Sequence, residues 1–282
     1  MFFNGMMIGA IYALIAIGYV ILIKAMDLIN IAQGEMVMIG AFLGYYLYVL
    51  FKLPFFVSFA AAVVLTGLVG IGLERIFYRN MREPNLLNLI TATIAMSILL
   101  RNGSMLLVGS DSLVFPTVFG NAPLRIAGLN VIPQYLFVLA MCVILMALLQ
   151  AFFYLTKAGI ALRAVMADPE TATLMGIPVQ RAMSLAFGIS AATGAAAGVL
   201  VAPFTYVAFD MGAIGIKAFG AAVLGGLYSI PGAVVGGLLL GLIDNFIAAF
   251  ISSAYRDVIA LTLLIVVLLI KPEGILGKKS AR

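Results

Sequence analysis

The chain has 282 residues, 65% of them hydrophobic and only 10% charged, with a formal net charge of +5 and a mean hydropathy of +1.21. Soluble domains carry about 25% charge, so this is the composition of an integral membrane protein; its cations lie mostly in short loops beside apolar runs, which favours membrane orientation over nucleic-acid binding as their purpose. There is no histidine and one cysteine, Cys142, which removes His-based catalysis, His metal ligands and any disulfide within the chain.

A bilayer core takes about 20 apolar residues per helix. In chain order the candidate spans are Gly5–Ile23, Met36–Phe51, Pro54–Leu73, Leu86–Val108, Pro133–Leu155, Ala182–Tyr206, Ala218–Ile230, Gly232–Phe250 and Val258–Ile270. No basic n-region precedes the first run, so it reads as a retained span. The expected fold is an all-α polytopic membrane protein of about 8–9 transmembrane or broken helices, a single domain over 1–282. Ala218–Ile230 is too short for a comfortable crossing and reads as broken or re-entrant, and the polar step Asp27–Glu35 raises the same question.

With the N-terminus outside and all nine pieces crossing, the cytoplasmic cations are Lys24, Arg75, Arg79, Arg82, Lys157, Arg163, Arg181, Lys271, Lys278, Lys279 and Arg282. Lys52, Arg101, Arg125, Lys217 and Arg256 fall outside. The imbalance favours this orientation, with Leu155–Arg181 and the tail in the cytoplasm and Gly109–Ile132 outside.

Leu155–Arg181 is the longest stretch with a steady scatter of charge. Asp168 is a good N-cap, Pro169 fits the first helical position, and Gly176 followed by Pro178 is a stop. The pattern predicts a short exposed helix near Pro169–Met175, with local helix also at Ala164–Met166. A plain loop is the competing reading.

Polar groups interrupt several apolar runs. Asp27, Asn30, Gln33 and Glu35 cluster after the first span, and Thr91, Thr93, Ser97, Arg101 and Asn102 mark the fourth. At 100° per residue Thr93 and Ser97 stand one above the other. Each of these groups has an ordinary reading: interfacial solvation for Asp27 and Glu35, a hydroxyl bonded to a carbonyl one turn back for Thr93 and Ser97. Asp244 has the strongest case for burial, with Arg256 or a backbone group as its expected partner. Gly194, Gly198, Gly232, Gly236, Gly237 and Gly241 have the small-residue spacing of close helix contacts. A faint echo links Ile31–Gly34 with Ile230–Gly232, each a break leading into a Gly-spaced helix, as in transporters built from two halves. No catalytic or metal-binding constellation assembles, and Gly274–Ser280 has the wrong spacing for a phosphate loop.

Seven stretches running nearly end to end resemble the H-type membrane permease of bacterial branched-chain amino-acid ABC importers. They are Tyr12–Tyr19, Leu28–Gly40, Glu74–Tyr78, Thr93–Ser97, Arg163–Pro178, Lys217–Leu242 and Lys271–Gly277; the tract AAVLGGLYSIPGAVV, Ala221–Val235, is the most specific. The resemblance implies an ABC importer permease fold in the bacterial inner membrane and a cytoplasmic coupling helix that docks on an ATPase. The family motif there is Glu-Ala-Ala, three residues, then Gly. Glu170, Thr171, Ala172 and Gly176 match its spacing, Thr171 departs at the middle position, and Ala186 stands where the fuller motif has Ile. Asp168, Pro169, Glu170, Thr171, Ala172 and Gly176 are therefore the expected ATPase-coupling residues, and Asn30, Gln33, Glu35, Thr93 and Ser97 the expected path residues.

The resemblance also implies partners: a second related permease, two ATPase subunits that use ATP and Mg, and an external substrate-binding protein. No cofactor is expected in this chain. The expected activity is translocation of leucine, isoleucine and valine by alternating access. Urea, short amides or other amino acids are the alternative cargo. A self-sufficient ion-coupled carrier using Asp244 with Glu35 is the alternative class, and an intramembrane enzyme lacks the groups it needs.

Overall fold

The computed structural model describes residues 2–81, 86–119, 124–126, 129–250 and a scatter of positions between 258 and 277. The elements in order are α1 (Phe2–Met26), α2 (Gln33–Tyr45), α3 (Phe55–Leu73), α4 (Leu86–Val108), β1 (Leu124–Ile126), β2 (Leu129–Val131), α5 (Pro133–Leu155), α6 (Lys157–Ala167), α7 (Pro169–Leu174), α8 (Val179–Val201), α9 (Ala213–Gly225) and α10 (Ile230–Phe250). Turns of π-helix extend α2 through Tyr46–Leu50 and α3 through Glu74–Tyr78. Among the described residues six helices are long and apolar enough to cross a membrane: α1, α3 with its extension, α4, α5, α8 and α10.

The centre of the bundle is α1. It is apolar on all sides, which is how a helix reads when protein surrounds it completely. Its apolar window is 89% buried, against 11% for α4 and 17% for α5, so α1 and α8 are enclosed while α4 and α5 stand at the rim. Around α1 pack α8, α9, α10 and α5; α2 and α3 lie on the other side of α8.

Water drives no helix association inside lipid, so close backbone approach takes over. A β-carbon on Gly241 would collide with the backbone of Gly9, and one on Gly198 with the carbonyl of Val37. These two contacts lock α10 to α1 and α8 to α2. The expected small-residue spacing is thus a packing device.

Several boundaries differ from the sequence reading. The short apolar piece is Ala213–Gly225, five residues earlier than the apolar run suggested. Gly226, at φ +118°, ends it there, and the following Leu227–Tyr228 forms the turn into α10. Lys217 therefore belongs to a helix and not to an external turn. Helix starts at Lys157 and not only around Ala164, because the Thr156 hydroxyl accepts the Gly159 N–H at 3.0 Å and caps α6. Residues 124–131 contain a two-stranded antiparallel ribbon, with Leu124 opposite Val131, so the fold is helical with one small exception. Six of the thirteen residues of Val258–Ile270 lie outside the described residues.

The segment after α10 returns to the foot of α9. The N–H groups of Ile275 and Leu276 donate to the carbonyls of Leu224 (2.9 Å) and Gly225 (3.0 Å). Those carbonyls end a helix and have no intrahelical partner. The two stretches AAVLGGLYSIPG and KPEGILG, far apart in sequence, are thus one structural unit.

Candidate functional site

Two polar sites are built in very different ways. The first lies inside the bundle, where two short helices begin. Asn30 is 2% exposed; its Oδ1 accepts the Ala32 N–H at 3.1 Å and its carbonyl the Gln33 N–H at 3.1 Å, which turns the chain into α2. Gln33 is fully buried. Its Nε2 donates to the Ser190 carbonyl at 2.8 Å. The Ser190 hydroxyl is 2.8 Å from Gln33 Oε1 and 2.9 Å from the Gly18 carbonyl, and shares its single hydrogen between them.

Ser190 is at the midpoint of α8, and Gly18 lies well inside α1. So α2 begins halfway along the spans beside it and follows only the second half of α8, where Gly40 meets Ala195 and Gly44 meets Val199. The other short helix, α9, starts at the same place. A β-carbon on Gly34 would overlap the Gly212 carbonyl, and the Tyr19 hydroxyl donates to the Gly215 carbonyl at 3.2 Å. From this junction α9 runs the other way, until Gly225 meets Gly232 at the foot of α10. The N-terminal ends of α2 and α9 converge, and both carry the positive end of a helix dipole. The broken partner of α2 is therefore α9; α10, which the sequence echo pointed to, is a full-length span.

Glu35 stands at this junction, 6% exposed and not at an interface. Its Oε1 accepts the Ser97 hydroxyl of α4 at 3.0 Å. Its Oε2 is buried with no hydrogen-bond partner among the described residues, and lies against Gly212, the residue before α9. One turn beyond Ser97, the Arg101 guanidinium sits over the Phe209 ring at 5.5 Å. Two helix N-termini favour an anion here, and one carboxylate oxygen remains able to accept a donor.

Of the path residues expected from sequence, Glu35 and Ser97 come together, Gln33 bonds Ser190 of α8, and Asn30 shapes the backbone before α2. Thr93 does not join them: its hydroxyl, fully buried, donates to the Ile90 carbonyl at 2.8 Å. Sequence reasoning missed Ser190, Gly18, Gly212 and Gly215, whose roles depend on contacts across the chain.

The second site is the α6–α7 hairpin. Asp168 Oδ1 accepts the N–H groups of Glu170 (3.0 Å) and Thr171 (3.2 Å), and the Thr171 hydroxyl donates to Asp168 Oδ2 at 2.6 Å. Thr171, the departure from the family motif, thus reinforces the cap. Pro169 occupies the first turn. Past the C-cap Met175, Gly176 takes φ +78°, its N–H bonds the Thr173 carbonyl and the Ile177 N–H bonds the Ala172 carbonyl. This is the double C-terminal closure for which glycine is chosen. Ala172 is the buried residue of α7, whereas Leu174 and Met175 are 87% and 78% exposed.

Asp244, fully buried in α10, accepts the Tyr12 hydroxyl at 3.0 Å and lies 3.8 Å from the Lys217 ammonium. Its cationic partner among the described residues is Lys217 of α9; Arg256, the partner expected from sequence, lies outside them. Glu35 and Asp244 belong to separate networks, one with Ser97 and one with Tyr12 and Lys217. No cluster of three or more potential metal ligands occurs among the described residues.

Residues 1–268 match the family model described as branched-chain amino acid transport system / permease component. The chain is 36% identical over 295 aligned residues to the high-affinity branched-chain amino acid transport system permease protein LivH of Escherichia coli K12, covering 98% of this chain and 94% of the relative. It is 38% identical to BraD of Pseudomonas aeruginosa, with the same two coverages. A probable LivH of Methanocaldococcus jannaschii is 32% identical, over 94% of this chain and 88% of the relative. In overall shape the chain is similar to PsaBC from Streptococcus pneumoniae in complex with Fab, at TM-score 0.53 and 15% identity, over 96% and 91% of the two chains. That likeness concerns the fold alone.

Proposed function

From the premise that this chain belongs to the permease components of branched-chain amino acid transport systems, we propose that its cargo is leucine, isoleucine and valine. It is a multi-pass membrane permease of an ABC importer and a transport subunit without catalysis of its own. The observation that carries the cargo reading is the family match over nearly the whole length, in a chain whose junction offers one buried carboxylate oxygen among apolar helices.

The proposed assembly pairs this chain with a second, distinct permease, two ATPase subunits and an external binding protein. ATP and Mg are used on the ATPases. The proposed orientation has the N-terminus outside and the α6–α7 hairpin in the cytoplasm, as the count of basic residues favours. There α7 docks on an ATPase through the exposed Leu174 and Met175, with Asp168, Pro169, Glu170, Thr171, Ala172 and Gly176 setting its shape. Closure of the ATPase pair moves the hairpin, and the bundle passes between two access states.

In this reading Gln33, Glu35 and Ser97 face the path at the junction, Glu35 Oε2 accepts the ammonium group of a passing amino acid, and Asn30 and Thr93 hold backbone. An apolar path with one such acceptor leaves most selectivity to the binding protein. The test is co-purification from native membranes in mild detergent. Two ATPases and a second permease are expected with the chain, together with leucine uptake that fails in Gly176→Arg while insertion persists. A chain that purifies alone and still accumulates solute on an ion gradient would mean a carrier instead.

A further inference from the structure

The end of the bundle that carries α6 and α7 contains a cavity of about 790 Å³ that plays no part in the transport roles above. It opens between α1, α5, α6 and the turn into α10. None of Asn30, Gln33, Glu35, Thr93 and Ser97 lines it. Its walls have two characters. The lining includes apolar Met146, Phe153 and Val234 and polar Lys24, Gln150, Arg163, Tyr228 and Ser229.

The charged side chains of the lining, Lys24 and Arg163, are both cations, and among the described residues no carboxylate lines the cavity. Lys24 is only partly exposed, at the end of the buried α1. The Arg163 guanidinium is stacked on the Tyr154 ring at 4.4 Å, which fixes its position at the mouth. Among the described residues, neither cation lies within 4.0 Å of a carboxylate; the ion pair found there is Lys217–Asp244. Asp27, three residues beyond Lys24, receives the Tyr228 hydroxyl at 3.3 Å. Ser229 accepts the Gly232 N–H on its hydroxyl oxygen, which leaves the hydroxyl hydrogen to donate.

A cation partly withdrawn from water beside an apolar wall needs a counter-charge, and no carboxylate of the described residues lies within 4.0 Å to supply it. The volume is that of a small-molecule site. A ligand that suits both walls at once has an anionic head and an apolar body. Basic cavities between spanning helices at the cytoplasmic side have this chemistry for lipid headgroups.

We propose that this cavity binds an anionic phospholipid, with Lys24 and Arg163 around its phosphodiester, Ser229 donating to it, and an acyl chain along Met146, Phe153 and Val234. The proposed orientation enters only in naming the inner leaflet as the source. The lipid would tie α6 to α1 and to the foot of α10. Because Asp168 joins α6 directly to α7, the headgroup would set the position of the docking helix.

The test uses the purified, delipidated transporter complex, titrated with phosphatidylglycerol, phosphatidylcholine or inorganic phosphate and read by native mass spectrometry and thermal shift. One phosphatidylglycerol per copy of this chain is expected, with phosphatidylcholine at background. Binding should weaken about tenfold or more in Lys24→Gln/Arg163→Gln and survive in Lys24→Arg/Arg163→Lys. Arg163→Gln alone, at an exposed site on α6, gives the same direction of effect if the double variant fails to accumulate. Equal phosphatidylglycerol binding by native and charge-neutral chains overturns the site. Inorganic phosphate binding as tightly as the lipid overturns the lipid as its source. Labelling Arg163→Cys with an impermeant thiol reagent in sealed vesicles reports the orientation separately, so an error there leaves the binding result readable.

Discussion

The junction of α2 with α9 and the hairpin of α6 with α7 are both polar breaks in an apolar chain, yet opposite forces hold them. At the junction, Gln33 reaches Ser190, Ser97 reaches Glu35, and Gly34 rests on Gly212, all contacts between distant parts of the chain. In the hairpin, every stabilising bond named above spans at most five residues, from the Asp168 cap to the Ile177–Ala172 closure. Its exposed Leu174 and Met175 are not covered by the described residues of their own chain. The contrast separates a site made by the fold from a site merely displayed by it.

The comparison breaks most sharply at Gly34. Gly34→Val places branched carbon on the Gly212 carbonyl, where backbone cannot give way. We expect no folded protein in the membrane, measured as detergent-stable accumulation. Normal accumulation would mean that the two half-helices do not depend on each other.

The hairpin predicts the reverse split. Leu174→Asp with Met175→Asp should leave accumulation and melting temperature unchanged. Leucine uptake should fall about 30-fold or more, the cost of removing an interface anchor worth about 2 kcal/mol. A lowered melting temperature would show instead that these side chains pack within the chain.

A smaller effect is expected at Glu35. Glu35→Gln preserves shape and can still accept the Ser97 hydroxyl, but loses the charge. Uptake should fall about tenfold, as for loss of one charge-assisted hydrogen bond of about 1.5 kcal/mol, with accumulation intact. Unchanged uptake would remove Glu35 from the path. The smallest change is Asp168→Ala, which deletes the α7 cap and should cost about 1 kcal/mol locally. Hydrogen exchange confined to α7 would detect it, whereas protection lost throughout the bundle would contradict a purely local cap.

The same contrast explains what could be read before the structure. The α7 helix was legible because Asp168, Pro169 and Gly176 each act on their neighbours. The spans Leu86–Val108 and Pro133–Leu155 were legible to the residue, since apolar length decides them. The start of α9 was not, because nothing local marks Ala213; contact of Gly212 and Gly215 with Gly34 decides it. Lys217 as a partner of Asp244 was not legible for a related reason. Lys217 read as a loop cation once its helix had been begun too late. The sequence echo paired α2 with α10 because both start beside a turn, whereas the structural counterpart starts at a glycine contact inside the bundle.

The tail offers a last consequence, and it concerns time. The carbonyls of Leu224 and Gly225 wait for Ile275 and Leu276, which the ribosome adds only after all of α10 and the segment beyond it. Since α9 also starts at the Gly212 junction, its other end stays open until Ile275 and Leu276 emerge. A chain stalled or clipped before Ile275 would carry an open helix end within the membrane. Quality-control proteases would then meet a recognisable unfinished product, and a bulky C-terminal fusion placed close to Gly277 would imitate one.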